Sequence, residues 1–202
     1  MGSMRSLLVG ALLALTPAAL HAQNLLPSLS RSGSKYALMI DGAPFLILGA
    51  QTHNSSNYPA ELPKVWPVIH ELHANTLEIP VAWEQIEPRE GRFDFAWVDS
   101  LLPEARRNGV RLILLWFGAF KNTSPSYAPE WVKSDTRRFA RMTTKDGKTH
   151  YVLSPHSPTT LKADSGAFAA LMHHIRDVDA QHTVIMVHVE NETRQLSIAP
   201  GF

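Results

Sequence analysis

His182-Thr183-Val184-Ile185-Met186-Val187-His188-Val189-Glu190-Asn191-Glu192 is the stretch that decides the fold. From Val184 to Val189 the residues are β-branched or apolar, interrupted only by His188. A short continuous run of this kind, bounded by polar residues, reads as a parallel strand covered on both faces. It stops on Asn191-Glu192, which puts a carboxamide and a carboxylate at the C-terminal tip of the strand.

Working back from that strand, the chain alternates. Leu161 to Asp179 has a helical pattern, and Gly118 to Pro158 is a long loop region with a short helix around Pro129 to Lys133. Val110 to Phe117 is an almost wholly apolar strand. Phe95 to Asn108 is an amphipathic helix that Asn108-Gly109 closes as a C-cap. Asn75 to Val81 is another strand. Leu62 to Ala74 is a helix with Pro63 near its start, where proline is tolerated, and Pro67 one turn later predicts a late start or a kink. Tyr36 to Ile40, the Asp41-Gly42 turn and Pro44 to Ile47 read as a β-hairpin whose second arm runs on into Leu46 to Gln51, the first strand of the alternation.

Alternating strand and helix implies a parallel sheet, and right-handed crossovers bring every strand C-terminus to one side. The residues at those ends are polar or aromatic: Gln51, His53 and Asn54 after the first strand, Trp83 and Glu84 after the second, Lys121 and Asn122 after the third, Asn191 and Glu192 after the fourth. In α/β barrels that side carries the chemistry. A complete eight-stranded barrel takes about 250 residues. Here the chain has 202 residues in all and four strands are visible. The expected fold class is α/β: the N-terminal half of a (β/α)8 TIM barrel, truncated after its fourth strand and preceded by a β-hairpin.

The net charge of +1, with 18% charged and 45% apolar residues, describes a globular chain without a basic stripe for nucleic acid. The ten His are scattered, and no spacing matches a metal-ligand pair, so neither metal nor cofactor is expected. Arg5, the apolar run Leu7 to Leu15 and the region Pro17 to Ala22 have the layout of an export signal, residues 1–22, too short to span a membrane. Once it is cleaved, no stable membrane insertion is expected, and the mature protein is periplasmic or extracellular. Cysteine is absent, so no disulfide framework exists. Gln23 to Lys35 is polar and Ser-rich and reads as a linker or surface lead-in, leaving 36–202 as the domain.

Trp83-Glu84-Gln85-Ile86-Glu87-Pro88-Arg89-Glu90-Gly91-Arg92-Phe93-Asp94-Phe95 resembles a segment that follows the second strand in retaining glycoside hydrolases of the large (β/α)8 clan. With Val187 to Glu192 added, the chain is similar to the N-terminal half of a family 35 β-galactosidase, over roughly residues 36 to 192. Family 42 β-galactosidases share both features. The hairpin, the Gly49 to Asn54 segment ending in His-Asn, and Asn75-Thr76 lean towards family 35. The resemblance implies a carbohydrate substrate, with Glu192 as acid/base and Asn191 on the sugar 2-hydroxyl. It also implies a nucleophile from a seventh strand, which this chain lacks.

The chemistry requires two carboxyl groups flanking the scissile bond, about 5–5.5 Å apart for retention. One protonates the leaving oxygen and later deprotonates water, and it needs burial or a neighbouring negative charge to hold its proton. Trp83 offers a ring for stacking on an apolar sugar face. Glu190 competes with Glu192, because side chains two apart on a strand share a face; the resemblance favours the glutamate that follows Asn. Family 35 usually has His-Tyr where this chain has His53-Asn54, and Cys-Ala-Glu where it has Gly118-Ala119-Phe120 and then Lys121-Asn122. The hydroxyl pattern of the sugar therefore stays open. A half barrel would also self-associate through its uncovered edges.

Overall fold

A computed structural model describes residues 25–121 and 124–190. The expected export segment, Asn122, Asn191 and Glu192 lie outside the described residues.

The chain enters through an antiparallel sheet of β1 (Ser28–Ser32), β2 (Lys35–Ile40) and β3 (Ala43–Pro44), in that order. Asp41 and Gly42 both have positive φ, 52° and 79°, the backbone of a type I′ turn, which matches the right-handed twist of the strands it joins. The strand β1 lies within the stretch expected to be a linker. All five of its residues are exposed, so no alternation marked it, and its backbone ladder to β2 makes it a strand. The expected second arm is shorter than foreseen: only β3 pairs, and Leu46 and Leu48 stay exposed.

The main sheet has four parallel strands in the order β4 (Gly49–Gln51), β5 (Thr76–Ala82), β6 (Arg111–Phe117), β9 (Val184–His188). Asn75 extends the short β4 by one rung. Its side chain accepts from the Leu48 amide and donates to the Leu46 carbonyl, both at 2.9 Å. Three helices cross over between these strands: α1 (Leu62–Glu71), α3 (Ala96–Arg107) and α5 (Pro158–Val178). Pro67 stands inside α1 without delaying its start. α3 ends as expected: Gly109 takes φ 66° and the Val110 amide reaches back to the Ala105 carbonyl at 3.0 Å. α5 begins earlier than its apolar pattern, because Ser157 caps it and Pro158 suits the first turn.

Strand alternation splits the core. Leu77, Ile79 and Val81 of β5 and Leu112, Leu114 and Trp116 of β6 face the helices and join Trp66, Leu101 and Leu171 in one buried cluster. The other face carries a small cluster of Ala82, Leu115 and Phe117 with Tyr127 against it. α2 (Trp83–Ile86) follows β5, and the long loop after β6 contains α4 (Glu130–Ser134) and an antiparallel pair, β7 (Arg141–Thr143) and β8 (Thr149–Leu153). This pair was not foreseen, although Asp146-Gly147 between two short β-rich runs is a hairpin signal.

The entry to β9 is fixed by Asp179, which is 5% exposed. Its carboxylate accepts from Arg106 at 2.6 Å and from the amides of Thr183 and Val184 at 3.0 and 2.8 Å. Asp179→Ala strands the Arg106 charge and two amides. It should cost about 3 kcal/mol of stability, read from the urea midpoint at constant slope; a loss below about 1 kcal/mol would make the pair a surface ornament.

Candidate active site

The strand C-termini open onto one edge, as expected. Gln51 ends β4, pairs in register with Glu78 and is exposed. His53 is exposed, its Nδ1 2.8 Å from the Ser55 hydroxyl, and Asn54 is half-buried. Glu84 is half-buried and accepts from Lys133 at 3.1 Å. Lys121 is buried, its ammonium 4.8 Å from the centre of the Phe117 ring.

Trp83 does not fit the role expected of it. Its ring is fully buried in the main core, packs edge-on to Trp131 with centroids 5.8 Å apart, and donates to Glu87 at 2.9 Å. No face is free for a sugar, because residue 83 follows Ala82 into α2 and so turns inward.

The strand-end loops are joined by polar bonds that sequence reading missed. Asn57, buried, and Gln85 exchange hydrogen bonds of 3.0 and 2.7 Å, tying the β4 loop to the β5 loop. Glu84–Lys133 and the Glu84 amide on the Tyr127 carbonyl (2.9 Å) tie the β5 loop to the β6 loop.

The third tie is a carboxyl pair. Asp164 on α5 is 7% exposed and accepts from Trp116 Nε1 at 2.8 Å and from the Ala119 amide at 2.7 Å; its carboxylate and Oε1 of Glu190, just beyond β9, crowd the same space above Gly118, while Glu190 Oε2 is buried with no hydrogen-bond partner among the described residues. The amides of Ala119 and Phe120 also face the Glu190 carboxyl. Burial, then the contact with Asp164, pushes the pKa of Glu190 up to about 9 despite those amides. A pKa raised this far keeps Glu190 protonated at neutral pH, beside an Asp164 carboxylate that would otherwise repel it. Glu190 also takes φ 58°, a left-handed turn that costs a residue with a Cβ about 1–2 kcal/mol. That turn breaks the strand alternation and points the side chain at the helix layer. The expectation that Glu190 shares a face with Glu192 therefore rests on an extended backbone that Glu190 does not have.

Gly118 completes the arrangement: a Cβ there would lie 2.5 Å from both Asp164 carboxylate oxygens and closer still to Glu190. The signal for this pair was present in the sequence. Thr160, Asp164, Ala167, Leu171 and Ile175 form the buried stripe of α5, and a lone acid on such a stripe needs a partner. A cavity of about 180 Å³ adjoins the pair, lined in part by Thr160, Phe120 and Leu153. A larger hollow of about 630 Å³ lies between the Glu87–Phe93 loop and α5, and its Arg138–Glu90 rim charges are already paired at 2.6 Å.

Compared with known proteins, residues 61–199 match the model of the Glyco_hydro_42 family, described as β-galactosidase. The chain belongs to that glycoside hydrolase family. The match falls on the family that stood second to family 35 in the sequence resemblance. β-Galactosidase of Arthrobacter sp is 26% identical over 147 residues, 64% of this chain and 19% of the relative. β-Galactosidase GalA of Bacillus licheniformis is 28% identical over 59% of this chain and 17% of the relative. β-Galactosidase 11 of Arabidopsis thaliana is 28% identical over 56% of this chain and 14% of the relative. The chain thus spans about a fifth, or less, of the length of these relatives. An exo-β-1,4-mannosidase from an Opitutaceae bacterium superposes on 77% of this chain and 26% of its own, with TM-score 0.55 and 20% identity. That likeness concerns the fold, and with the strand order above it makes the described α/β unit part of a TIM barrel.

The protonated pair has a measurable sign. Below the ordinary value of 4.5 the folded and unfolded chains both hold the Glu190 proton; between 4.5 and about 9 only the folded chain does. Unfolding therefore releases a proton over that window, and the contribution of Glu190 to stability declines as pH rises through it. The urea midpoint should fall more steeply from pH 5 to 8 in the unmodified protein than in Glu190→Gln. Parallel pH profiles would show that no proton is held there.

Proposed function

We propose that this chain carries the acid/base part of a retaining exo-glycosidase that cleaves terminal β-galactoside-like bonds. The observation that carries the reading is the family match over residues 61–199, which spans both the segment after β5 and Asn191-Glu192. In this reading Glu192 protonates the glycosidic oxygen as a carboxylate from another strand attacks the anomeric carbon. Glu192 then takes a proton from the water that releases the sugar. Asn191 donates to the 2-hydroxyl, a bond that strengthens as the ring flattens. Gln51, His53, Asn54, Glu84, Lys121 and Asn122 supply contacts to the remaining hydroxyls. The layout of residues 1–22 supports export, with the work done outside the cytoplasm.

Glu192→Gln tests the assignment in the natural full-length protein. Loss should reach about 100-fold or more on an alkyl β-galactoside, which needs the acid, and stay far smaller on a dinitrophenyl galactoside, which does not. Equal losses on both would take Glu192 out of the role.

A polypeptide of these 202 residues alone should hydrolyse nothing, since retention needs a second carboxyl. It should also self-associate, because among the described residues β4 and β9 each leave one edge unpaired and Leu46, Leu48, Met186 and Val189 are exposed. Light scattering behind size exclusion reads this directly; a monodisperse monomer with cooperative melting would mean that the unit is self-sufficient.

A further inference from the structure

We propose that Asp164 is a positioning residue for the acid/base segment. From α5 it clamps Glu190 at the tip of β9 and so fixes the direction in which the chain leaves the strand towards Asn191-Glu192. The inference deepens the glycosidase reading and rests on it.

The clamp joins three elements. Asp164 sits on the buried stripe of α5, Trp116 and Ala119 that donate to it belong to β6 and its exit, and Glu190 lies two residues beyond β9. Asp164 is held from two sides by N–H donors, so its position is set before Glu190 arrives. The Glu190 carboxyl lies against it above Gly118, with the Glu190 backbone in the left-handed turn at φ 58°. An extended backbone there would restore the strand alternation that the turn breaks. Space is reserved for this arrangement, since Gly118 admits no Cβ beside the two carboxyls. Space is also available for its failure, since the adjoining cavity of about 180 Å³ could accept an unclamped Glu190 side chain.

The test compares Asp164→Ala, Glu190→Ala and Glu190→Gln with Glu192→Gln in the natural full-length protein, on methyl and dinitrophenyl β-galactosides. Glu190→Gln retains a donor towards Asp164 and should rescue the clamp. Glu190→Ala and Asp164→Ala should lose about 100-fold in kcat on the methyl galactoside, with KM little changed and much less loss on the dinitrophenyl substrate. The Trp116 indole N–H resonance should move in Glu190→Ala and hold in Glu190→Gln. If Asp164→Ala does not fold, Glu190→Ala carries the comparison. Glu192→Gln with the leaving-group signature, beside alanine variants without it, overturns the positioning role and leaves the acid/base reading intact. Absence of the signature from Glu192→Gln defeats that reading instead, and an unmoved Trp116 resonance in Glu190→Ala defeats the clamp whatever the kinetics show.

Discussion

The parallel ladder between β5 and β6, seven residues long from Thr76↔Arg111 to Ala82↔Phe117, is the constraint from which the rest of the molecule follows. Parallel neighbours cannot be joined by a tight turn, so each strand must be followed by a crossover. The one hand that crossovers adopt puts α1, α3 and α5 on the same face. That choice commits Leu77, Ile79, Val81, Leu112, Leu114 and Trp116 to a dry interface with the helices. It also commits every strand exit to one edge. The concentration of polar side chains at that edge is a consequence of topology before it is a matter of chemistry.

An edge built from loop after loop has no ladder of its own to hold it. Here the ties are polar side chains: hydrogen bonds of Asn57 with Gln85 and of Glu84 with Lys133 link the loops after successive strands, and Asp164 on α5 lies against Glu190 at the exit of β9. Apolar contacts would tolerate sliding by an ångström or so, whereas a bond between fixed donors and acceptors does not. The opposite edge is fixed in the same manner where it matters, with Asp179 and Arg106 setting the entry to β9. The sheet therefore receives β9 with both ends anchored by buried carboxylates, although β9 itself has only one paired side among the described residues.

Much of this was legible in the sequence. The four strands of the parallel sheet and the three crossover helices follow from apolar periodicity, and the Asp41-Gly42 and Asn108-Gly109 turns from the need for positive φ. What the sequence hid was hidden for physical reasons. β1 is exposed along its whole length, so burial left no pattern on it. β7 is three residues long, below the reach of any period. Trp83 read as a sugar platform because its place in the chain is next to a strand exit, and only the inward turn of α2 shows that its ring is spent on Trp131 and Glu87. Asp164 was visible as an acid on an apolar stripe, but its partner is 26 residues away in sequence, beyond what local spacing reveals.

A protonated glutamate against a buried aspartate is an expensive way to anchor a strand tip. Two buried carboxyls would repel if both were charged, and an apolar pair of the same volume would often be at least as stable. What the pair supplies instead is direction. The carboxylate of Asp164 can be aimed because Trp116 and Ala119 hold its oxygens at 2.8 and 2.7 Å, and a hydrogen bond to an aimed acceptor fixes the rotamer of Glu190 as an aliphatic contact would not. The glycine at 118 belongs to the same logic, since the space above it goes to the two carboxyl groups and not to a side chain. Stability given up at Glu190, in backbone strain and in desolvated charge, is exchanged for a defined exit from β9. In α/β barrels the chemistry lies at the C-terminal ends of the strands, so a defined exit from β9 counts most there.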